Sequence, residues 1–170
     1  MSLQPELTRL TEHVDMAVGL EPEAMAREIQ AALRDATAKT GWLPPERRRV
    51  NHDNYARHLL YGDPQGQFSI LSIVWDHGQQ SPIHGHYCWC AVGVYLGTLT
   101  ETYYREVAAG VPEPVETKQR GAGTLSFEPA NNGIHRIAND SGAVAISLHV
   151  YGVASNQIST RVNRALTRNA

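Results

Sequence analysis

Apolar residues near the start of the chain recur at steps of three and four residues, which is typical of a helix that buries one face. Residues 5–18 contain four such positions: Leu7, Leu10, Val14 and Val18. Residues 21–39 continue the same rhythm with Met25, Ile29, Ala32 and Leu33. Pro44 and Pro45 then end the helical region, because proline lacks a backbone donor and forces its predecessor out of helical geometry. The pattern predicts a helical N-terminal segment over residues 1–45.

From about Tyr55 onward the pattern changes to short runs rich in β-branched and aromatic residues. Six of these runs are predicted to be strands: residues 67–75, 87–96, 99–105, 124–128, 134–138 and 143–150. Glycine and asparagine turns separate them, and short strands with such turns are typical of a sandwich or barrel. The sequence therefore predicts a mainly β protein. We expect one domain over residues 1–170, with a double-sheet jelly-roll barrel at residues 51–152 and helices before it.

Composition removes several classes of function. The 170 residues are 42% hydrophobic and 19% charged, an ordinary globular mixture with a net charge of -2. A nearly neutral chain has no bulk attraction to nucleic acid or to anionic membranes. No apolar run approaches the roughly 20 residues of a membrane helix, and the N-terminus lacks the apolar core of a signal peptide. We expect a cytoplasmic monomer that binds small molecules and neither nucleic acid nor membrane.

Histidine and cysteine positions point to a metal site. The chain has 8 His and only 2 Cys, and Cys88 and Cys90 are too close in sequence for an unstrained disulfide. His84 and His86 stand two residues apart in an extended segment, so both side chains point to the same face. His135, at the start of a distant predicted strand, would complete a set of three imidazoles. On spacing alone such a set indicates a metal site, without identifying the metal.

The segment around these histidines resembles a known motif. Gly78, His84, His86 and Gly97 match the first cupin motif, in which Cys90 stands at the place of the usual glutamate ligand. A second, later segment resembles the end of the second cupin motif, with His135 and Asn139 at the expected spacing. Cysteine at the glutamate position is typical of thiol dioxygenases within the cupins, above all of the cysteine dioxygenase type I family.

Three further segments agree with that family in order and spacing: residues 55–60, 66–69 and 147–151. The resemblance covers about residues 51–151. It implies a cupin barrel in which His84, His86 and His135 hold one Fe(II) per chain. It also implies that both atoms of dioxygen are added to the sulfur of cysteine, giving cysteine sulfinic acid.

The resemblance assigns roles around the metal as well. Arg57, supported by Tyr55, would bind the substrate carboxylate, which its planar fork fits bidentately. In mammalian-type members the equivalents of Cys90 and Tyr151 are joined by a thioether, so the same crosslink is expected here. Cys88 is interpreted as a small buried hydrophobe.

One predicted strand carries polar side chains on a single face. Ser147, His149 and Tyr151 alternate with Ile146, Leu148 and Val150, so the polar three point the same way. Polar groups that face a barrel interior must bond to each other or to a ligand. We predict a relay from Ser147 through His149 to the Tyr151 hydroxyl, and the resemblance implies an active role for it.

Other functions stay open at this point. Gly152 follows Tyr151 where mammalian-type members have a serine, and some bacterial relatives with this glycine prefer 3-mercaptopropionate to cysteine. Those relatives carry glutamine where Arg57 stands, so Arg57 favours cysteine. A three-histidine zinc hydrolase, a metal-dependent cupin isomerase and a non-enzymatic ligand-binding cupin are the remaining alternatives.

Overall fold

The computed structural model describes residues 4–166, and two helices open this part of the chain. Helix α1 spans Pro5–Ala17 and α2 spans Pro22–Ala38, so both predicted helices are present within a few residues of their expected bounds. Each begins with a proline, which is tolerated in the first turn because that backbone N–H has no partner inside the helix. None of the helices in this part of the chain is long and apolar enough to cross a lipid bilayer.

Strands make up most of the remaining chain. They are β1 (Ala56–Gly62), β2 (Ser69–Trp75), β3 (His84–His86), β4 (Cys90–Leu96), β5 (Thr98–Ala108), β6 (Val111–Gly121), β7 (Leu125–Glu128), β8 (His135–Ala138), β9 (Ala145–Tyr151) and β10 (Asn163–Ala165). Short 3₁₀ turns at Pro45–Arg47 and Ser155–Gln157 and the one-turn helix α3 at Ile158–Arg161 complete the elements. The strands form two five-stranded antiparallel sheets, in the orders β1-β2-β9-β4-β7 and β10-β3-β8-β5-β6. The predicted mainly β, two-sheet architecture with N-terminal helices is confirmed.

Four strands are absent from the six predicted runs, and three of them, β1, β6 and β10, lie at the edge of a sheet. The fourth, β3, is only three residues long and covers the extended segment that carries His84 and His86. β6 is exposed over most of its length and contains Pro112 and Pro114, so it shows no alternation of apolar and polar positions. β1 and β10 are likewise edge strands whose side chains are only partly buried. Edge strands carry a weak hydrophobic signal because only part of their surface is covered.

The sheet centred on β9 separates two environments. Ile146, Leu148 and Val150 point away from the barrel and belong to the same buried cluster as the apolar faces of α1 and α2. α2 packs so closely on β4 that a Cβ at Gly93 would lie 2.9 Å from the Thr37 methyl group. The alternate residues of β9 face the space between the two sheets. The helices therefore cover one face, and the polar side chains are left for the barrel interior.

Candidate metal centre

Three histidines converge inside the barrel from two neighbouring strands. His84 and His86 lie on β3, and His135 begins β8, where it is the direct antiparallel partner of His84. All three are buried, and one ring nitrogen from each lies within 4.8 Å of the others. The His-x-His spacing predicted His84 and His86, and the third member, His135, was expected from the start of a distant predicted strand. The pairing of β3 with β8 is what brings the third member to the other two.

Hydrogen bonds fix the orientation of two of the rings. His84 Nδ1 lies 2.8 Å from the carbonyl oxygen of Pro82, and His135 Nδ1 lies 2.7 Å from Glu101 Oε1. Because these oxygens only accept, each Nδ1 carries the hydrogen and donates it. The Nε2 atom of each ring is then left with a lone pair, which is the state that a metal ligand requires.

The third ring completes an arrangement that fits a metal ion. His86 Nε2 lies 3.0 Å from His135 Nε2, and two atoms about 2.1 Å from one ion, at right angles, would be about 3.0 Å apart. His86 Nδ1 is a buried side-chain nitrogen with no hydrogen-bond partner within residues 4–166. Burial lowers the pKa of His84 to about 4 and that of His86 to about 2, with the neighbouring His135 adding to both shifts. Both rings are therefore neutral near pH 7, and the set can hold a divalent ion.

Glu101 supports the site, although the sequence analysis did not identify it. It lies on β5, and its other carboxylate oxygen accepts from Arg120 Nε at 2.8 Å. Burial alone would raise the pKa of Glu101, but the hydrogen bond from His135 and the charge of Arg120 lower it to about 2. An ionised carboxylate strengthens the His135 hydrogen bond and the basicity of that ring. One feature of the sequence could have identified Glu101. It stands two positions after the apolar Leu99 in a predicted strand, so its side chain is expected on the same inward face.

Cys90 lies in the same cavity but outside the group of three histidines. It is buried on β4, opposite Tyr151 in the register of β4 and β9. Burial raises the pKa of the Cys90 thiol well above its usual value, and the neighbouring Cys88 adds to the shift. The thiol therefore stays protonated and lacks the thiolate form that binds metals. Cys88 is buried too, but it lines a different groove, next to Trp89 and Gly152.

The predicted relay on β9 is present and has one more member. Ser147 Oγ lies 2.8 Å from His149 Nε2, and His149 Nδ1 lies 2.9 Å from the Tyr151 hydroxyl. Trp75 Nε1, at the end of β2, lies 3.0 Å from Ser147 Oγ. Burial lowers the pKa of His149 to about 3, so the relay consists of neutral groups near pH 7.

The partners of Ser147 set the direction of this relay. An indole N–H can only donate, so Ser147 accepts from Trp75, and among its hydrogen-bond partners in the described residues only His149 Nε2 can accept the hydrogen of the buried hydroxyl. His149 then carries its hydrogen on Nδ1 and donates it to the Tyr151 oxygen. This ordering leaves the Tyr151 hydrogen free to point into the cavity. Burial beside Cys90 raises the pKa of Tyr151 well above its usual value, so that hydrogen is retained.

The cavity holding these groups is small, about 20 Å³, and has a polar rim. Tyr55, Arg57 and Asn163 are the lining residues that are not fully buried, and Arg57 is exposed. Tyr55 stacks on Trp75 at 4.6 Å between ring centroids. Arg57 and Tyr55, the residues to which the family resemblance assigned substrate binding, thus stand at the cavity that contains the histidines. Asn163 comes from β10, which pairs with the strand β3 that carries His84 and His86, and no sequence signal pointed to it.

Comparison with known proteins agrees with this geometry. The family model described as cysteine dioxygenase type I matches residues 27–163. Among solved structures, TT1209 from Thermus thermophilus is 18% identical with a TM-score of 0.52, over 65% of this chain and 95% of that chain. A Klebsiella pneumoniae protein with a double-stranded β-helix domain is 15% identical with a TM-score of 0.50, over 69% and 92% of the two chains.

The cupin domain of Cnp3 from Schizosaccharomyces pombe is 10% identical with a TM-score of 0.50, over 71% of this chain and 73% of that chain. At such low identities the likeness concerns the fold alone. It identifies the two-sheet barrel as a cupin.

Proposed function

The chain belongs to the cysteine dioxygenase type I family, and from this membership we propose that it is an iron-dependent thiol dioxygenase acting on cysteine. The observation that carries the proposal is the convergence of three buried imidazoles with Tyr151 and Arg57 on one cavity. The reaction adds both atoms of dioxygen to the substrate sulfur and yields cysteine sulfinic acid.

His84, His86 and His135 are the proposed iron ligands. Three neutral imidazoles leave the divalent charge of the ion uncompensated, which favours an anionic substrate thiolate in a remaining position. Iron(II), when bound, would supply sites for the thiolate and amine of cysteine and the redox chemistry that activates dioxygen. Cys90 supports this assignment, because a carboxylate at its position would compete with the thiolate for the ion.

Arg57 is the proposed anchor for the substrate carboxylate. Its guanidinium stands at the rim of the cavity and can form two parallel hydrogen bonds with a carboxylate. Tyr55 lies beside it and offers a hydroxyl. Holding the carboxylate at the rim directs the thiol end of a small substrate inward to the histidines, which removes much of the entropic cost of bringing the reacting atoms together.

Tyr151 is the proposed hydrogen-bond donor inside the cavity. Its hydroxyl accepts from His149 and keeps its own hydrogen for the substrate or for developing negative charge on oxygen. Ser147 and His149 orient this phenol without carrying charge themselves.

The Cys90–Tyr151 thioether is proposed as a modification acquired during turnover, in which the thiol and the ring together lose two hydrogen atoms to dioxygen.

A second candidate substrate is 3-mercaptopropionate, which lacks the amine of cysteine. Gly152 favours it by resemblance, and the ring of Trp89 packs so closely over Gly152 that a side chain there would collide with it. Among the described residues, the cavity lining contains no carboxylate that could pair with an ammonium group. The amine of cysteine can therefore strengthen substrate binding only by coordinating the iron. The carboxylate, which both substrates have, can strengthen binding through Arg57.

The test combines iron analysis with an oxygen electrode, using cysteine, 3-mercaptopropionate and cysteamine. We expect about one iron per chain and oxygen uptake that is fastest with cysteine, with both atoms of labelled dioxygen in the sulfinic acid product. Faster uptake with 3-mercaptopropionate would select the second candidate. His84→Ala is the control, and oxygen uptake that survives this change would refute the ligand assignment.

A further inference from the structure

A second cavity lies behind the three-histidine site, within the barrel. It measures about 20 Å³ and is lined mainly by apolar side chains: Val92, Val94, Leu99, Leu125 and Ile137. Val92 and Ile137 also line the cavity of the metal centre, so these two side chains form the partition between the two spaces. The second cavity therefore adjoins the site, and its lining does not include the rim residues Tyr55, Arg57 and Asn163.

The strand order explains why this space exists. β7 is the edge of one sheet and β6 is the edge of the other, and a turn near Gly123 joins them along an open seam of the barrel. Leu125 and Arg120, at this seam, are partly buried, whereas Val94 and Leu99 deeper in are almost fully buried. The cavity thus extends from the seam toward the site.

The size and polarity of the second cavity indicate which kind of small molecule it can hold. About 10–15 Å³ on the same measure suffices for one water molecule, so the space is adequate for a diatomic molecule. Buried water requires two to four polar partners. Arg120, Thr124 and Ser126 also line this cavity, but they are only partly buried and lie near the seam. Deeper in, the one polar side chain of the lining is Glu101, whose two oxygens already accept from His135 and Arg120. The inner part of the cavity therefore favours a small uncharged molecule over water.

When substrate occupies the rim, dioxygen needs another way into the metal centre, and the second cavity can provide it. Under the proposed function, a carboxylate on Arg57 fills the opening framed by Tyr55, Arg57 and Asn163. Dioxygen must then reach the substrate sulfur by another side. We propose that the second cavity is a dioxygen-binding site and the route by which dioxygen passes between Val92 and Ile137 to the metal centre. This inference rests on the proposed function for its reaction, but dioxygen binding can be measured without it.

Dissolved dioxygen is itself the probe, because it is paramagnetic and accelerates the relaxation of nearby methyl groups. The full chain, loaded with diamagnetic zinc, is measured by methyl NMR with and without dioxygen. We expect several-fold stronger relaxation at Val94 and Leu99, which line only the second cavity and are 3% and 2% exposed, than at Val162 and Ile146, which line neither cavity and are each 2% exposed. Equal relaxation at the two pairs would overturn the proposal.

Kinetics of the iron enzyme test the route separately. Val94→Ile combined with Leu125→Phe narrows the second cavity without touching the lining of the substrate cavity. We expect kcat/KM for dioxygen to fall several-fold, the deficit to disappear at saturating dioxygen, and anaerobic thiol binding to stay unchanged. Val74→Ile adds one methylene on the helix-facing side of the same sheet and serves as the control.

The outcomes separate the two claims. Unchanged kcat/KM for dioxygen in a folded double variant, with normal thiol-dependent uptake, rejects the route and leaves the dioxygenase assignment standing. If the native chain consumes no dioxygen with any thiol, the proposed function fails, and the methyl relaxation still decides whether the cavity binds dioxygen.

Discussion

Cys90 and Tyr151 are direct partners in the antiparallel pairing of β4 with β9, and both side chains line the metal cavity. Directly opposed residues on one face of such a pair have Cβ atoms about 4.5–5.5 Å apart. Covalent bonding between the sulfur and the phenol ring therefore requires side-chain rotation and no change of register. Cys88, two residues earlier, lies in the same apolar cluster as Cys90 but lines the neighbouring groove.

This relationship predicts which cysteine forms the crosslink. After repeated turnover, the intact mass of the protein should fall by two hydrogen atoms, and peptide mapping should join Cys90 to Tyr151. Cys90→Ala and Tyr151→Phe should abolish the mass change. Cys88→Ala is the matched control and should retain it. A mass loss that persists in Cys90→Ala would assign the modification to another residue.

Glu101 should control metal affinity through His135. Glu101→Gln keeps an acceptor for the His135 N–H but removes the negative charge that strengthens this bond. Loss of such a hydrogen-bond partner typically weakens metal binding by about 10–100-fold. Competition against a chelator measures this change. Glu113→Gln, which disrupts an exposed ion pair with Arg105, should leave metal affinity unchanged. Equal affinity in the two variants would deny Glu101 this role.

Acidification should destabilise the metal-free protein between about pH 6.5 and pH 4. The pKa of His84 is about 4 and that of His149 about 3 in the folded chain, against a usual value of 6.5, chiefly because both are buried. As pH falls below 6.5 the unfolded chain gains protons that the folded chain does not. The free energy of unfolding should then fall by about 1.4 kcal/mol per pH unit for each such histidine.

Denaturant unfolding after chelation, at a series of pH values, measures this slope. His149→Gln should reduce the slope of the free energy of unfolding against pH by the contribution of one histidine. His13→Gln, at an exposed position of α1, is the control and should leave this slope unchanged. A free energy of unfolding that stays level across this pH range would contradict the burial of neutral imidazoles.

Arg57 should discriminate substrates by their carboxylate. Hydrogen bonds to charged groups contribute about 1.5–3 kcal/mol, so Arg57→Gln should lower kcat/KM for cysteine and 3-mercaptopropionate by roughly 10–100-fold. Cysteamine has no carboxylate, and its rate should not change. Arg48→Gln, at an exposed position outside the cavity, is the control. A loss of equal size with cysteamine would mean that Arg57 acts on something other than the carboxylate.

Trp75 should affect turnover through the relay. Trp75→Phe keeps a ring for stacking on Tyr55 but removes the N–H that donates to Ser147, so the Ser147 hydroxyl loses one of the two partners that orient it. We expect kcat to fall several-fold with little change in KM. The effect should not add to that of Ser147→Ala, because both changes act through one chain of hydrogen bonds.

Trp42→Phe is the matched control for this variant. The Trp42 indole donates to the Ala36 carbonyl in the helical layer, away from the cavity, so its loss should change stability and leave kcat unchanged. Full additivity of Trp75→Phe with Ser147→Ala would disprove the coupling.

Local periodicity was enough to predict much of the architecture. The repeat of three and four residues located both helices, and the alternation of polar and apolar residues along β9 predicted which of its side chains enter the barrel. His84 and His86 were identified for the same reason, since a spacing of two places side chains on one face of a strand. Each of these features is encoded within a few consecutive residues.

Contacts between side chains from distant parts of the chain could be identified only in the tertiary structure. Glu101 meets His135 because β5 pairs with β8, Trp75 meets Ser147 across β2 and β9, and Asn163 reaches the cavity because β10 pairs with β3. The second cavity likewise depends on where the edges of the two sheets meet. Sequence by itself determined the elements and the inward faces of individual strands. Strand order, register and barrel closure, which arise only when the two sheets pack, decided which inward residues touch one another.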